Sequence, residues 1–185
     1  MATSKNNVVT HGLSGKVGDL LVFSQRKGKT IVSRVPRRSG IFTAGQVAQQ
    51  EKFAMAANYA KAAVQDPILK PGYEAKAEAD GLTSYNVAVA DYLNAPEIHS
   101  VITSGYTGTI GNNILIRATD DFEVESVIVR IEKADGTIIE EGNAVEKPFH
   151  WEYSATVANP SIAGCKIIIT AFDIPQNETT KTIAL

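Results

Sequence analysis

The chain has 185 residues, 44% hydrophobic and 21% charged, which is enough apolar mass for one large domain or two small ones and too much for a disordered chain. A single cysteine excludes an intrachain disulfide framework and a cysteine-rich zinc site, and no apolar run is long enough to cross a bilayer as a helix. The formal net charge of −2 hides an asymmetry, because residues 1–40 sum to +7, residues 41–96 to −2 and residues 97–185 to −7. Segregated charge of this kind bears on association and steering, not on fold.

The first seven residues are polar and no apolar segment follows them, so no secretory signal is expected. The chain reads as cytoplasmic as synthesised, with incorporation into a virion or an extracellular assembly left open.

Residues 8–36 read as β. Residues 17–23 are apolar around Asp19, a polar turn runs from Gln25 to Lys29, and residues 30–35 form a second strand. Gly28 supplies the positive φ that a tight hairpin needs, and Pro36 ends the ladder. Residues 43–95 read as helical. Thr43 and Gln46 make a capping-box pair ahead of an alanine-rich run. Phe53, Ala57, Ala60 and Val64 fall on one stripe, which is expected to be buried, and Met55 and Tyr59 form a second stripe facing a further partner. Asp66-Pro67 and Lys70-Pro71-Gly72 read as breaks. Leu82, Tyr85, Val89 and Tyr92 then hold helical spacing up to Asn94-Ala95-Pro96.

Residues 97–185 read as an antiparallel sandwich of seven strands, at 98–103, 113–118, 126–133, 137–141, 149–157, 165–172 and 179–184. Asp135-Gly136 marks a tight hairpin turn. Trp151 alternates with Phe149 and Tyr153, which predicts that all three lie on the buried face.

Two resemblances follow from these residues. The C-terminal block resembles the immunoglobulin-like modules common in bacterial and phage proteins. The similarity rests on residues 116–122, Val127-Ile128-Val129, Asp135-Gly136 and the closing run 170–177, where Gln176 stands in place of the usual glycine. Residues 12–95 resemble a family of uncharacterised proteins found mainly in Bacteroidetes. Its motifs match Gly15-Lys16-Val17-Gly18, Lys27-Gly28-Lys29, Arg34-Val35-Pro36, and Thr43 with Gln46, Gln49 and Lys52-Phe53. Members often carry a tryptophan before the second motif, where this chain has Arg26, and the family brings no activity with it.

Catalytic and ligand patterns are sparse. Gly12-Leu13-Ser14-Gly15-Lys16-Val17 lacks both the first glycine and the final hydroxyl of a phosphate-binding loop. His11, His99 and His150 are scattered without ligand spacing, and Cys165 reads as a small core hydrophobe. Asp120, Asp121 and Asp173 occupy loop positions where some immunoglobulin-like modules bind calcium, and self-bonded turn carboxylates are the favoured alternative. The basic run is short of the aromatic residues that nucleic-acid stacking needs.

These readings converge on an α+β protein, with a basic β-hairpin and helices in residues 1–96 and an immunoglobulin-like antiparallel β-sandwich in residues 97–185. The expected role is that of a non-enzymatic structural or interaction protein, without a cofactor, that self-associates head-to-tail into a filament, array or virion component. The interaction residues are Lys16, Arg26, Lys27, Lys29, Arg34, Arg37 and Arg38, facing a protein partner in a homo-oligomer and not a membrane. A nucleic-acid-binding accessory protein and a carbohydrate-binding module are the alternatives.

Overall fold

The computed structural model describes residues 2–4, 10, 12–26, 28–36, 40 and 42–185. The protein is α+β, with three helices and three antiparallel four-stranded sheets among those residues. It divides into two compact units, residues 1–46 and 47–185. No helix among the described residues is long and apolar enough to cross a membrane.

The first unit holds strands β1 (Ala2–Ser4), β2 (Gly15–Val17), β3 (Leu21–Arg26) and β4 (Lys29–Arg34), in the order β1-β4-β3-β2. The expected hairpin is β3–β4, closed where Arg26 pairs with Lys29 and Gly28 takes φ 71°. The segment expected as one strand over 17–23 is instead broken by a turn at Gly18-Asp19-Leu20, which folds Val17 back onto Leu21. Glycine followed by aspartate is a turn former, and here it overrides the flanking apolar run. Thr43 and Gln46 cap the next helix reciprocally, each accepting the other's main-chain N–H at 2.9 and 3.3 Å, as the sequence predicts.

That helix, α1, spans Ala44–Ala63. It buries Ala56, Ala60 and Ala63, and leaves Phe53 and Met55 exposed. The buried stripe is therefore rotated away from the expected Phe53 side. Tyr59, expected on an outward stripe with Met55, instead lies on the inward side, half-buried and packed on Tyr92 with ring centroids 5.3 Å apart. Small alanines allow close approach, and Tyr59 finds a buried partner for its hydroxyl there.

Two helices follow where one was expected. Lys70-Pro71-Gly72 opens α2 (Lys70–Asp80) and does not break a helix, because proline in the first turn forfeits no helical hydrogen bond. Gly81 ends α2, Leu82 lies exposed in the link, and Thr83 Oγ1 accepts the Asn86 N–H at 3.2 Å to start α3 (Ser84–Leu93). Lys52 Nζ donates to the Leu93 carbonyl at the other end of α3, 3.1 Å away, where a cation suits the helix dipole. The three helices bury Tyr73, Ala77, Val87, Ala88 and Val89 with the α1 alanines, and Phe122 packs against this cluster. The expected domain boundary at residue 96 thus lies within one compact unit.

The remaining strands are β5 (Glu97–Ile102), β6 (Asn113–Thr119), β7 (Val124–Glu132), β8 (Ile138–Asn143), β9 (Val145–Lys147), β10 (His150–Ser154), β11 (Lys166–Asp173) and β12 (Glu178–Ala184). They form sheets ordered β5-β6-β10-β9 and β12-β11-β7-β8, whose inward residues share one core. Ile114, Ile116, Trp151 and Tyr153 come from the first sheet, and Val127, Val129, Ile131, Ile167 and Ile169 from the second. Strand β9 was not expected. Phe149 is 89% exposed because it falls in the turn before β10, outside the alternation that buries Trp151 and Tyr153. Cys165 is buried just ahead of β11.

Candidate functional site

The basic residues of the first unit are sorted by strand pairing. Opposite residues of antiparallel strands share a face, and successive residues alternate. The pairs Val17–Leu21, Leu21–Arg34 and Phe23–Val32 therefore place four apolar side chains and Arg34 on one face. Lys16–Val22, Ser24–Ile31 and Arg26–Lys29 place three cations on the other. Of the seven expected interaction residues, Lys16, Arg26 and Lys29 share one face, with Lys16 four residues along the sheet from the Arg26–Lys29 pair, and Arg34 is directed to the opposite face. Lys27, Arg37 and Arg38 lie outside the described residues, as does His11. Lys16 also pairs with Asp19 at 2.7 Å. Among the described residues of this unit only Thr30 is buried, held by the Gln25 side-chain amide at 2.9 Å.

A second constellation lies in the 47–185 unit. Asp91, from α3, is 0% exposed. The Tyr73 hydroxyl, on α2, donates to Asp91 Oδ2, and the Tyr59 hydroxyl lies 2.8 Å from that of Tyr73. With the Tyr73 proton directed at Asp91, Tyr59 donates to Tyr73. Asp120, in the β6–β7 link, accepts the Phe122 N–H on Oδ2 at 3.0 Å, and the Phe122 ring stacks on Tyr73 with centroids 4.2 Å apart. Gly72 admits that ring, since a Cβ there would lie 2.9 Å from Phe122 Cζ.

Asp173 ends β11 at a register shift and is fully buried. Asn177 secures it with its main-chain N–H to Oδ1 at 2.6 Å and its amide to Oδ2 at 2.7 Å. The same amide nitrogen is 3.1–3.2 Å from the carbonyl oxygens of Asp91, Tyr92 and Asn94, which ties the end of α3 to this turn.

One oxygen from each of Asp91, Asp120 and Asp173 lies within 4.8 Å of the others. Oδ1 of Asp91 and Oδ1 of Asp120 are buried with no hydrogen-bond partner. Burial pushes the Asp91 carboxyl up to about 7; the Tyr73 bond opposes that rise, and the negative charges of Asp120 and Asp173 add to it. Asp173 is also raised, by burial first, with the Asn177 bonds pulling the other way. The Tyr73 hydroxyl is held far above its ordinary range by burial and by its bonds to Asp91 and Tyr59. Such a cluster can hold a shared proton or a hard cation.

Of the loop aspartates that the sequence singles out, Asp120 and Asp173 each accept a nearby main-chain N–H, as the turn-carboxylate alternative expects, and they lie together, while Asp121 accepts the Asn94 side-chain amide. Asp91 was missed. Its one signal is a lone acid in an apolar helix, next to the buried Val87, Ala88 and Val89.

No family model and no curated protein matches this chain. A solved structure described as an engineered protein is similar over 48% of this chain and 18% of its own length, at 17% identity and a TM-score of 0.35. That likeness is too distant to define a shared fold.

Proposed function

We propose that this is a non-enzymatic structural or interaction protein that self-associates, the basic sheet of one copy docking on the acidic 47–185 unit of the next. The observation that carries the reading is the sheet itself. One face carries Val17, Leu21, Phe23 and Val32 with Arg34, the other carries Lys16, Arg26 and Lys29 beside Val22 and Ile31, and only Thr30 is buried among its described residues. A sheet this uncovered gains most from a second surface. Residues 1–46 sum to +7 and residues 47–185 to −9, so a second copy supplies the complementary charge. Val17, Leu21, Phe23 and Val32 supply the apolar burial of the docked face, and Lys16, Arg26 and Lys29, on the opposite face, raise the rate of encounter by longer-range attraction. A contact between two different surfaces propagates into a ring or filament.

We further infer that the two sheets of residues 97–185 form an immunoglobulin-like sandwich. The orders β5-β6-β10-β9 and β12-β11-β7-β8 support this, since they correspond to the two sheets of that architecture with one added edge strand.

The test compares the full chain with a Lys16→Glu, Arg26→Glu, Lys29→Glu variant by light scattering at low and moderate salt. Growth in mass that the triple variant abolishes and salt weakens supports the reading. A wild-type protein that stays monomeric at high concentration and low salt overturns it. So does a monomer that binds DNA with a steep salt dependence, which would place the cationic face on nucleic acid.

A further inference from the structure

The three aspartates converge where α3, the β6–β7 link and the end of β11 meet. The hydrogen bonds that these carboxylates accept from residues outside the cluster come from neutral donors: the Tyr73 hydroxyl, the Phe122 N–H, and the main-chain and side-chain nitrogens of Asn177. Among the described residues no lysine, arginine or histidine forms an ion pair with any of the three. Three clustered carboxylates without a protein counter-charge are costly, and the cost grows with burial.

The second observation is where the donors stop. Asp91 has no exposed surface, and while its Oδ2 is bonded to Tyr73, its Oδ1 has no partner. Asp120 repeats the pattern, with Oδ2 bonded to Phe122 and Oδ1 buried and unpartnered. Each carboxylate is thus oriented through one oxygen and leaves the other unused. That is how outer hydrogen bonds hold the ligands of a metal ion.

We propose that Asp91, Asp120 and Asp173 bind one divalent cation, with calcium the preferred ion. The donor set supports that choice, since carboxylate oxygens suit a hard cation and calcium tolerates irregular ligand arrangements at about 2.3–2.6 Å where magnesium demands near-ideal octahedral geometry at about 2.0–2.1 Å. The three oxygens all lie within 4.8 Å of one another, close enough to share one ion. Asp120 is partly exposed and gives the ion its way in, with water to complete the coordination. Bound there, the ion links the helical layer to both sheets.

The test uses the full chain, stripped with chelator and dialysed at pH 7.5. Calcium chloride is titrated calorimetrically, and terbium luminescence is excited through tyrosine, since Tyr73 bonds to a proposed ligand. The expected result is saturable binding of one equivalent and a rise in thermal midpoint with calcium. Asp91→Asn and Asp120→Asn should each weaken binding at least tenfold while circular dichroism stays native. Asp121→Asn should bind within twofold of wild type, and magnesium at least tenfold more weakly than calcium. If Asp91→Asn fails to fold, Asp120→Asn decides. Absence of saturable binding at millimolar calcium overturns the proposal, as does binding that the folded variants retain. Equal affinity for magnesium overturns the choice of ion.

Discussion

Tyr73 and Asp91, neither with solvent-exposed surface, share a hydrogen bond in which the tyrosine hydroxyl donates to the carboxylate. The bond joins α2 to α3, and Tyr59 extends it to α1. Replacing Tyr73 by phenylalanine keeps the ring stacked on Phe122 but leaves Asp91 Oδ2 without its donor. A buried acceptor stripped of a charge-assisted bond costs about 2–3 kcal/mol. Urea denaturation of Tyr73→Phe at pH 8 in chelator should show a loss of that size. A variant as stable as wild type would mean the bond contributes nothing net.

The raised Asp91 carboxyl makes stability depend on pH. In the unfolded chain the group titrates near its ordinary 3.8, and in the folded chain at about 7. Between these values the folded state holds a proton that the unfolded state has released. The favourable contribution is therefore complete below about pH 4 and is lost as pH rises through 7. Asp120, Asp173, Tyr73 and Tyr59 are the titratable groups that face it, and none is cationic. Melts in chelator should show stability attributable to this site falling from pH 4.5 to 7.5. Asp91→Asn should flatten that slope and be the more stable protein at the upper end. An unchanged slope in Asp91→Asn would assign the pH dependence elsewhere.

How much of this was legible in the sequence depends on the range of the interaction that decides each feature. The Thr43–Gln46 cap, the Gly28 turn and the strands of residues 97–185 other than the short edge strand β9 follow from neighbours in the chain, and the structure has an element at each of those places. The α1 stripe does not, because Phe53 and Ala56 are both apolar and only the tertiary partner Tyr73, which pulls Tyr59 inward, chooses between faces. Phe149 was placed by extending an alternation one residue past the strand's start. Asp91 carried only the weak local signal of a lone acid in an apolar helix, since its partners come from α2, the β6–β7 link and β11.

Gln176 is a different kind of departure, visible in both sequence and structure. It stands where the resembling modules carry glycine, and among the described residues it is the one non-glycine with positive φ, at 70°. A side chain in the left-handed region costs about 1–2 kcal/mol. Its amide bonds to Glu125, exposed at the surface, and to the Asp173 carbonyl at 3.3 Å recover part of that. Gln176→Gly should raise stability by about 0.5–1 kcal/mol, read from the urea midpoint at unchanged slope. Gln176→Val, branched at Cβ, should lower it, and a loss of stability in Gln176→Gly would show that the amide bonds outweigh the strain.

The last expectation concerns Glu140, an acid on the inner face of β8. Ile131 pairs with Glu140 but Glu132 pairs with Ile138, so Ile139 is an extra residue that bulges the strand. Its pairing opposite the buried Ile131 places Glu140 on the inner face, next to that bulge. There Oε2 accepts the Tyr153 hydroxyl at 3.0 Å, the Thr156 N–H and hydroxyl at 2.8 Å, and the Val157 N–H at 3.1 Å. Tyr153 belongs to β10 in the other sheet, so one carboxylate oxygen fastens the two sheets and the chain leaving β10. Burial, followed by the bond to Glu140, pushes the Tyr153 hydroxyl up to about 12. Glu140→Ala should cost about 3 kcal/mol, because it strands several buried donors together. Tyr153→Phe, which removes one donor and leaves three, should cost about 1 kcal/mol. In the double variant Glu140→Ala, Tyr153→Phe, the tyrosine change should cost almost nothing further, since its acceptor is already gone. Urea denaturation of the four proteins measures the cycle, and full additivity would mean that the carboxylate does not couple the sheets.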